Sequence, residues 1–173
     1  MRIWTVGHST RSAEDFGAIL QAHKIETLVD VRTFPGSRRY PQFNKSVLSE
    51  SLATANIVYL HEPRLGGRRT PHKDSHNTAW RNAQFRGYAD HMETDEFAAG
   101  IKELLELANK SRTTVMCAEA VWWKCHRSLI ADYLKAAGHT VLHIVDAKKT
   151  QEHPFTSAAR IVDGRLSYHG LFG

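Results

Sequence analysis

Short apolar runs rich in β-branched residues alternate along this chain with amphipathic stretches of helical length, and that alternation limits the fold most. Residues 3–6, 27–31, 57–61, 113–117 and 140–145 are long enough for strands and too short for helices. Their near-continuous apolar character suits strands buried on both faces, as in a parallel sheet. Between them fall helical patterns at 46–55, 83–92, 95–109 and 128–137, plus one that opens on Ser12-Ala13-Glu14-Asp15, a capping signature. Gly138 suits the C-cap of the helix before it. An Asp163-Gly164 turn between alternating residues predicts a C-terminal hairpin. The expected architecture is a single three-layer α/β domain over residues 1–173. It has a mostly parallel sheet of about five strands, helices on both faces and a small C-terminal hairpin.

Composition supports a globular chain. Its 173 residues are 42% hydrophobic and 24% charged, with no run of eighteen apolar residues, which argues against disordered, fibrous and membrane classes. Met1 leads directly into an alternating segment, so a cytoplasmic protein with reduced cysteines at Cys117 and Cys125 is expected. The net charge of +5 is uneven: between Arg32 and Arg86 stand ten Lys/Arg against three acids. Such a concentration attracts polyanions, of which nucleic acid is the commonest in a cell, although a basic stretch also serves solubility.

In open parallel sheets ligands bind beyond the carboxyl ends of the strands. That rule selects His8, Ser9 and Thr10 after the first strand, Asp30 and Arg32 after the second, His61 after the third, and Cys117 with Glu119 after the fourth. Two long loops, 32–43 and 63–78, carry prolines, glycines and the bases Arg38, Arg39, Arg68 and Arg69. Loops of that length inside a domain are often functional.

Val6-Gly7-His8-Ser9-Thr10, Val29-Asp30-Val31-Arg32 followed by Pro35 and Ser37-Arg38, Leu65-Gly66-Gly67, and Met116-Cys117-Ala118-Glu119 leading to Cys125-His126-Arg127-Ser128 together resemble the domain-of-unknown-function family number 488, over nearly the whole chain. The resemblance implies a fold and a pocket; the family name implies no reaction. Leu28-Val29-Asp30-Val31-Arg32, and Arg127-Ser128 opening a helix after a cysteine-bearing strand, are also similar to rhodanese-like domains. Those domains hold a thiolate in a tight anion-cradling loop. Here nine residues separate Cys117 from Arg127, and Glu119 and two tryptophans intervene.

The candidate roles are open at this level. Cys117 reads as a buried hydrophobe or a nucleophile, and Cys125, before His126 and Arg127 at a helix start, as packing or chemistry. Zinc on Cys117, Cys125 and His126 matches no common ligand spacing, so neither metal nor cofactor is expected. Asp30 reads as a general base or as the partner of Arg32. Glu119, in an apolar run, should be partly buried with a raised pKa and so suited to proton transfer, or else be ion-paired with Arg127 or Lys124. Tyr40, Phe43, Trp122 and Trp123 stand on loops near the expected pocket, with one tryptophan packed inward and the other free to stack on a planar ligand. Motifs for ATP, NAD, zinc-protease, α/β-hydrolase and zinc-deaminase chemistry are absent from the sequence.

The leading expectation is therefore a carboxylate-assisted enzyme on a base or nucleotide of nucleic acid, such as a DNA glycosylase-type hydrolase acting in repair. Glu119, Asp30, His8 and Cys117 would supply chemistry, Arg38, Arg39, Arg68 and Arg69 would hold phosphates, and Trp122 or Trp123 would stack the base. The alternatives are a rhodanese-like thiol enzyme acting on a small anion through Cys117 or Cys125, and a non-catalytic nucleic-acid-binding module.

Overall fold

Burial on both faces sets the centre of the sheet. In the computed structural model, which describes residues 1–170, β1 (Arg2–Gly7), β2 (Thr27–Asp30) and β4 (Thr113–Cys117) have only one exposed residue among them, Arg2. β3 (Val58–His61) alternates exposed and half-buried positions, as an edge strand does. β5 (Thr140–Ile144) lies on the far side of β1. The order is β3-β2-β4-β1-β5, all parallel, closed at one side by a short antiparallel strand, β6 (Thr150–Glu152). The sheet has six strands, five of them parallel, in keeping with the mostly parallel sheet of about five strands expected from the sequence. β6 is polar and three residues long, so it carries no apolar pattern to reveal it.

Period-two alternation sends neighbouring strand residues to opposite faces. Trp4, Val6, Leu28 and Met116 pack with Phe16 and Leu20 of α1 (Ala13–Ala22) and with Leu48 and Leu52 of α2 (Lys45–Thr54). Ile3, Val29 and Val115 pack on the other face with α3 (Ala83–His91), α4 (Asp95–Lys110) and α5 (Arg127–Ala136) through Tyr88, Phe97, Leu104, Leu129 and Leu134. The Ser12 side chain accepts from the Asp15 N–H to cap α1, and Gly138 sits at φ +96° just past α5. The expected hairpin is present as β7 (Arg160–Val162) and β8 (Arg165–Ser167), turned by Asp163 and Gly164, both at positive φ. Among the described residues no helix is long and apolar enough to cross a membrane.

The strand order fixes where a ligand can enter. From β1 the chain crosses over to β2 on one side, and from β4 it crosses to β5 on the other. The connecting helices therefore lie on opposite faces, and a crevice opens at the carboxyl ends of β1 and β4. His8 and Cys117 emerge there.

Candidate functional site

Gly7 pairs with Cys117 at the ends of β1 and β4. The two loops continue side by side, with His8 N–H donating to the Cys117 carbonyl and Ser9 N–H to that of Ala118. This closeness requires Gly7, because a Cβ there would stand 1.8 Å from the Glu119 carbonyl oxygen. Ser9 turns the chain away at φ +56°. Between the loops lies a cavity of about 690 Å3 whose wall includes His8, Arg32, Arg68, Glu119 and both cysteines.

The floor is a pair of thiols. The Cys125 S–H donates to Cys117 Sγ at 2.7 Å, and both residues are buried. The backbone N–H of Arg127, opening α5, donates to Cys125 Sγ at 3.3 Å. His126 Nε2 donates to the Val31 carbonyl at 2.8 Å, which leaves Nδ1, 3.7 Å from Cys125 Sγ, without a hydrogen in the neutral ring. Burial, with Arg127 and Arg69 nearby, pushes the His126 pKa down to about 4, so the ring is neutral at neutral pH. Gly67 makes room for this ring, since a Cβ there would fall 2.3 Å from His126 Nδ1.

Arg127 lies behind the thiols with only 1% of its surface exposed. Its Nη2 donates to the carbonyls of Glu119 and Ala120, its Nε has no hydrogen-bond partner, and no carboxylate lies within salt-bridge distance of it among the described residues. Burial raises the Cys117 pKa, but the Cys125 hydrogen bond and the Arg127 charge outweigh it and bring the thiol below its ordinary value. Burial and the neighbouring Cys117 push Cys125 the other way. Charge on the pair therefore concentrates on Cys117.

On the opposite wall, His8 stacks on Phe43 at 4.2 Å and donates from Nδ1 to the Ser9 carbonyl. Burial, seconded by Arg32 and Arg11, lowers its pKa, so Nε2 offers a lone pair. Arg32 is held by three hydrogen bonds from its Nε and Nη2 to Asp30 and by one from Nη2 to Phe43 O, which leaves Nη1 facing His8 Nε2 at 3.5 Å.

A family model, Domain of unknown function DUF488, matches residues 12–134. The chain belongs to this family. Compared with curated proteins and with solved structures, it matches none.

Of the residues selected from its sequence, this DUF488 chain brings His8, Ser9, Thr10, Arg32, Tyr40, Arg68, Cys117, Glu119, Cys125 and His126 to the pocket wall. Asp30 lies beneath it, fully buried, both oxygens taken by Arg32 and the Tyr59 hydroxyl. His61 donates to the Arg32 carbonyl, and Phe43 backs His8. Arg69 turns back to the carbonyls of Gly66 and Pro63, while Arg38 and Arg39 are exposed outside the wall.

Two expectations are corrected. Glu119 is exposed rather than partly buried: the 118–120 loop packs through its backbone against Gly7, which turns its side chains outward. Its backbone carbonyl, not its carboxylate, meets Arg127. Neither tryptophan stands on the pocket wall. Trp122 stacks on His143 at 4.7 Å and Trp123 is exposed. The aromatic wall comes instead from Tyr40, Phe34 and Phe85, of which the last two lack any sequence pattern that marks them. No cluster of three His, Cys, Asp or Glu able to hold a metal occurs among the described residues.

Proposed function

We propose that the chain is an enzyme whose Cys117 thiolate attacks an anionic substrate held in the β1/β4 pocket. One observation carries this: Arg127 is a buried cation without a carboxylate partner. A buried charge is costly unless compensated; Arg127 has the carbonyls of Glu119 and Ala120 but no anion, and its charge favours the thiolate of Cys117. Cys117 Sγ also accepts a hydrogen bond from Cys125, and a thiolate stabilised in this way is the nucleophilic form. Arg32 Nη1 and Arg68 give the wall its positive charge, and the neutral Nε2 of His8 is placed to accept a proton from water or a substrate hydroxyl.

The test uses two alkylating reagents of similar size and different charge. Simple thiols react more slowly with iodoacetate than with iodoacetamide. Cys117 should reverse or erase that preference, show saturation with iodoacetate and be protected by inorganic phosphate, and Arg68→Glu should restore the ordinary preference. The same ratio as a free thiol in the unmodified chain contradicts an anion pocket around a nucleophile.

A second proposal, that the anion belongs to nucleic acid and the pocket takes a base, draws on the mouth. Phe34 is 67% exposed with the Arg68 guanidinium 5.3 Å from its ring centre, and Arg39 lies over Tyr40 at 5.6 Å. Interleaved aromatics and arginines are what stacked single strands require, and Glu119 stands exposed on the rim for carboxylate-assisted base chemistry. Arg38→Glu with Arg39→Glu and Arg68→Glu should weaken retention of a single-stranded oligonucleotide at least tenfold at low salt and flatten its salt dependence. Equal retention by both proteins removes this substrate class.

A further inference from the structure

We infer that Cys117 and Cys125 act as a pair and that the pocket performs thiol–disulfide exchange on a small anionic disulfide. This deepens the thiolate function proposed above and rests on it. The two sulfurs meet at the pocket floor from different elements, the end of β4 and the residues before α5, with nothing between them. Both residues line the cavity, so a substrate bound to Cys117 is within reach of Cys125. Their surroundings differ in the sense that exchange needs. Cys117 receives a hydrogen bond and lies near the unpaired Arg127, while Cys125 keeps its proton and sits 3.7 Å from the bare Nδ1 of His126. Attack by one thiol and resolution by the other require this asymmetry.

The chemistry balances with the groups present. Cys117 Sγ⁻ attacks one sulfur of R–S–S–R′, so that a Cys117–S–R bond forms, the substrate S–S bond breaks and R′S⁻ departs. R′S⁻ takes the Cys125 proton as it leaves, and the Cys125 sulfur attacks Cys117 Sγ. The protein disulfide forms and RS⁻ departs. The substrate is reduced by two electrons and the cysteine pair is oxidised by two, to be restored by an external dithiol. Arg32 and Arg68 on the wall favour a substrate carrying carboxylates.

Oxidised glutathione is the probe. The unmodified chain should lose both thiols to later alkylation, release both halves of the probe and keep no glutathionyl mass, with dithiothreitol reversing the change. Cys125→Ser should stop at one glutathionyl group on Cys117, and Cys117→Ser should react at least tenfold more slowly. The unmodified chain gives its result without any variant, so a failure of either serine variant to fold does not spoil the test. A stable glutathionyl adduct on the unmodified chain overturns the pairing and leaves the thiolate standing. No reaction with the probe while Cys117 still alkylates rapidly with iodoacetate overturns the substrate class alone. Sluggish reaction with both reagents overturns the thiolate function and this inference together.

Discussion

Asp132→Ala should destabilise the protein by about 4 kcal/mol or more, a large part of the roughly 5–15 kcal/mol that holds a domain folded. The Asp132 carboxylate is fully buried on α5 and accepts four hydrogen bonds, from His153 Nε2, Thr156 N–H, the Thr156 hydroxyl and the Tyr168 hydroxyl. His153 in turn lies 2.8 Å from His143 Nε2, and His143 Nδ1 lies 2.5 Å from the Thr5 hydroxyl. One buried polar string thus ties β1 and β5 to α5 and to the segments that follow β6 and β8. Removing the carboxylate strands every donor at its end, and an unsatisfied buried donor costs about 1–3 kcal/mol. Urea unfolding should show the loss as a lower midpoint with little change in slope. A change under about 1 kcal/mol would mean that water or a rearranged side chain satisfies those donors.

Acid should weaken the fold well before the carboxylates titrate. His143 is 2% exposed, and burial, with His153 and Arg127 alongside, holds its pKa down to about 2. In the unfolded chain it titrates near the ordinary value of about 6.5. Below that pH the unfolded state binds a proton that the folded state refuses, so stability falls as pH falls. The loss is about 1.4 kcal/mol per pH unit, or about 2.7 kcal/mol from His143 alone by pH 4.5. His126, held to about 4, acts in the same direction over its narrower window, by less because it is partly exposed. Urea midpoints should be flat above pH 7 and drop steadily from pH 6.5 to 4.5. Equal midpoints at pH 7.5 and 4.5 would show that these rings are solvated or already charged in the fold.

The sheet could be read from the residues because buried parallel strands announce themselves by β-branched apolar runs, and its topology rule then named six positions on the pocket wall. What stayed hidden shares one cause: it depends on contacts between distant segments. Cys117 and Cys125 are eight residues apart without a motif, and they touch because a strand end and a helix start converge. That Arg127 lacks an acid is visible only once its neighbours are placed. Thr5, Asp132, His143 and His153 form one buried string although no spacing links them. Glu119 sits in a run that reads as apolar, but the run is a loop whose backbone, not its side chains, meets Gly7.

The proposed chemistry rests on Cys117 as the counter-ion of Arg127. It is tested most directly by the rate at which iodoacetamide modifies Cys117, followed by peptide mapping across pH, in the unmodified chain and in Arg127→Gln, with circular dichroism confirming that both are folded. Glutamine can keep a hydrogen bond to the Glu119 or Ala120 carbonyl while removing the charge. In the unmodified chain the half-maximal rate should fall below the ordinary thiol pKa of about 8.5. In Arg127→Gln it should rise by at least about one pH unit, and the rate near pH 7 should fall by about tenfold. An ordinary thiol profile in the unmodified chain, or the same profile in both proteins, would contradict it.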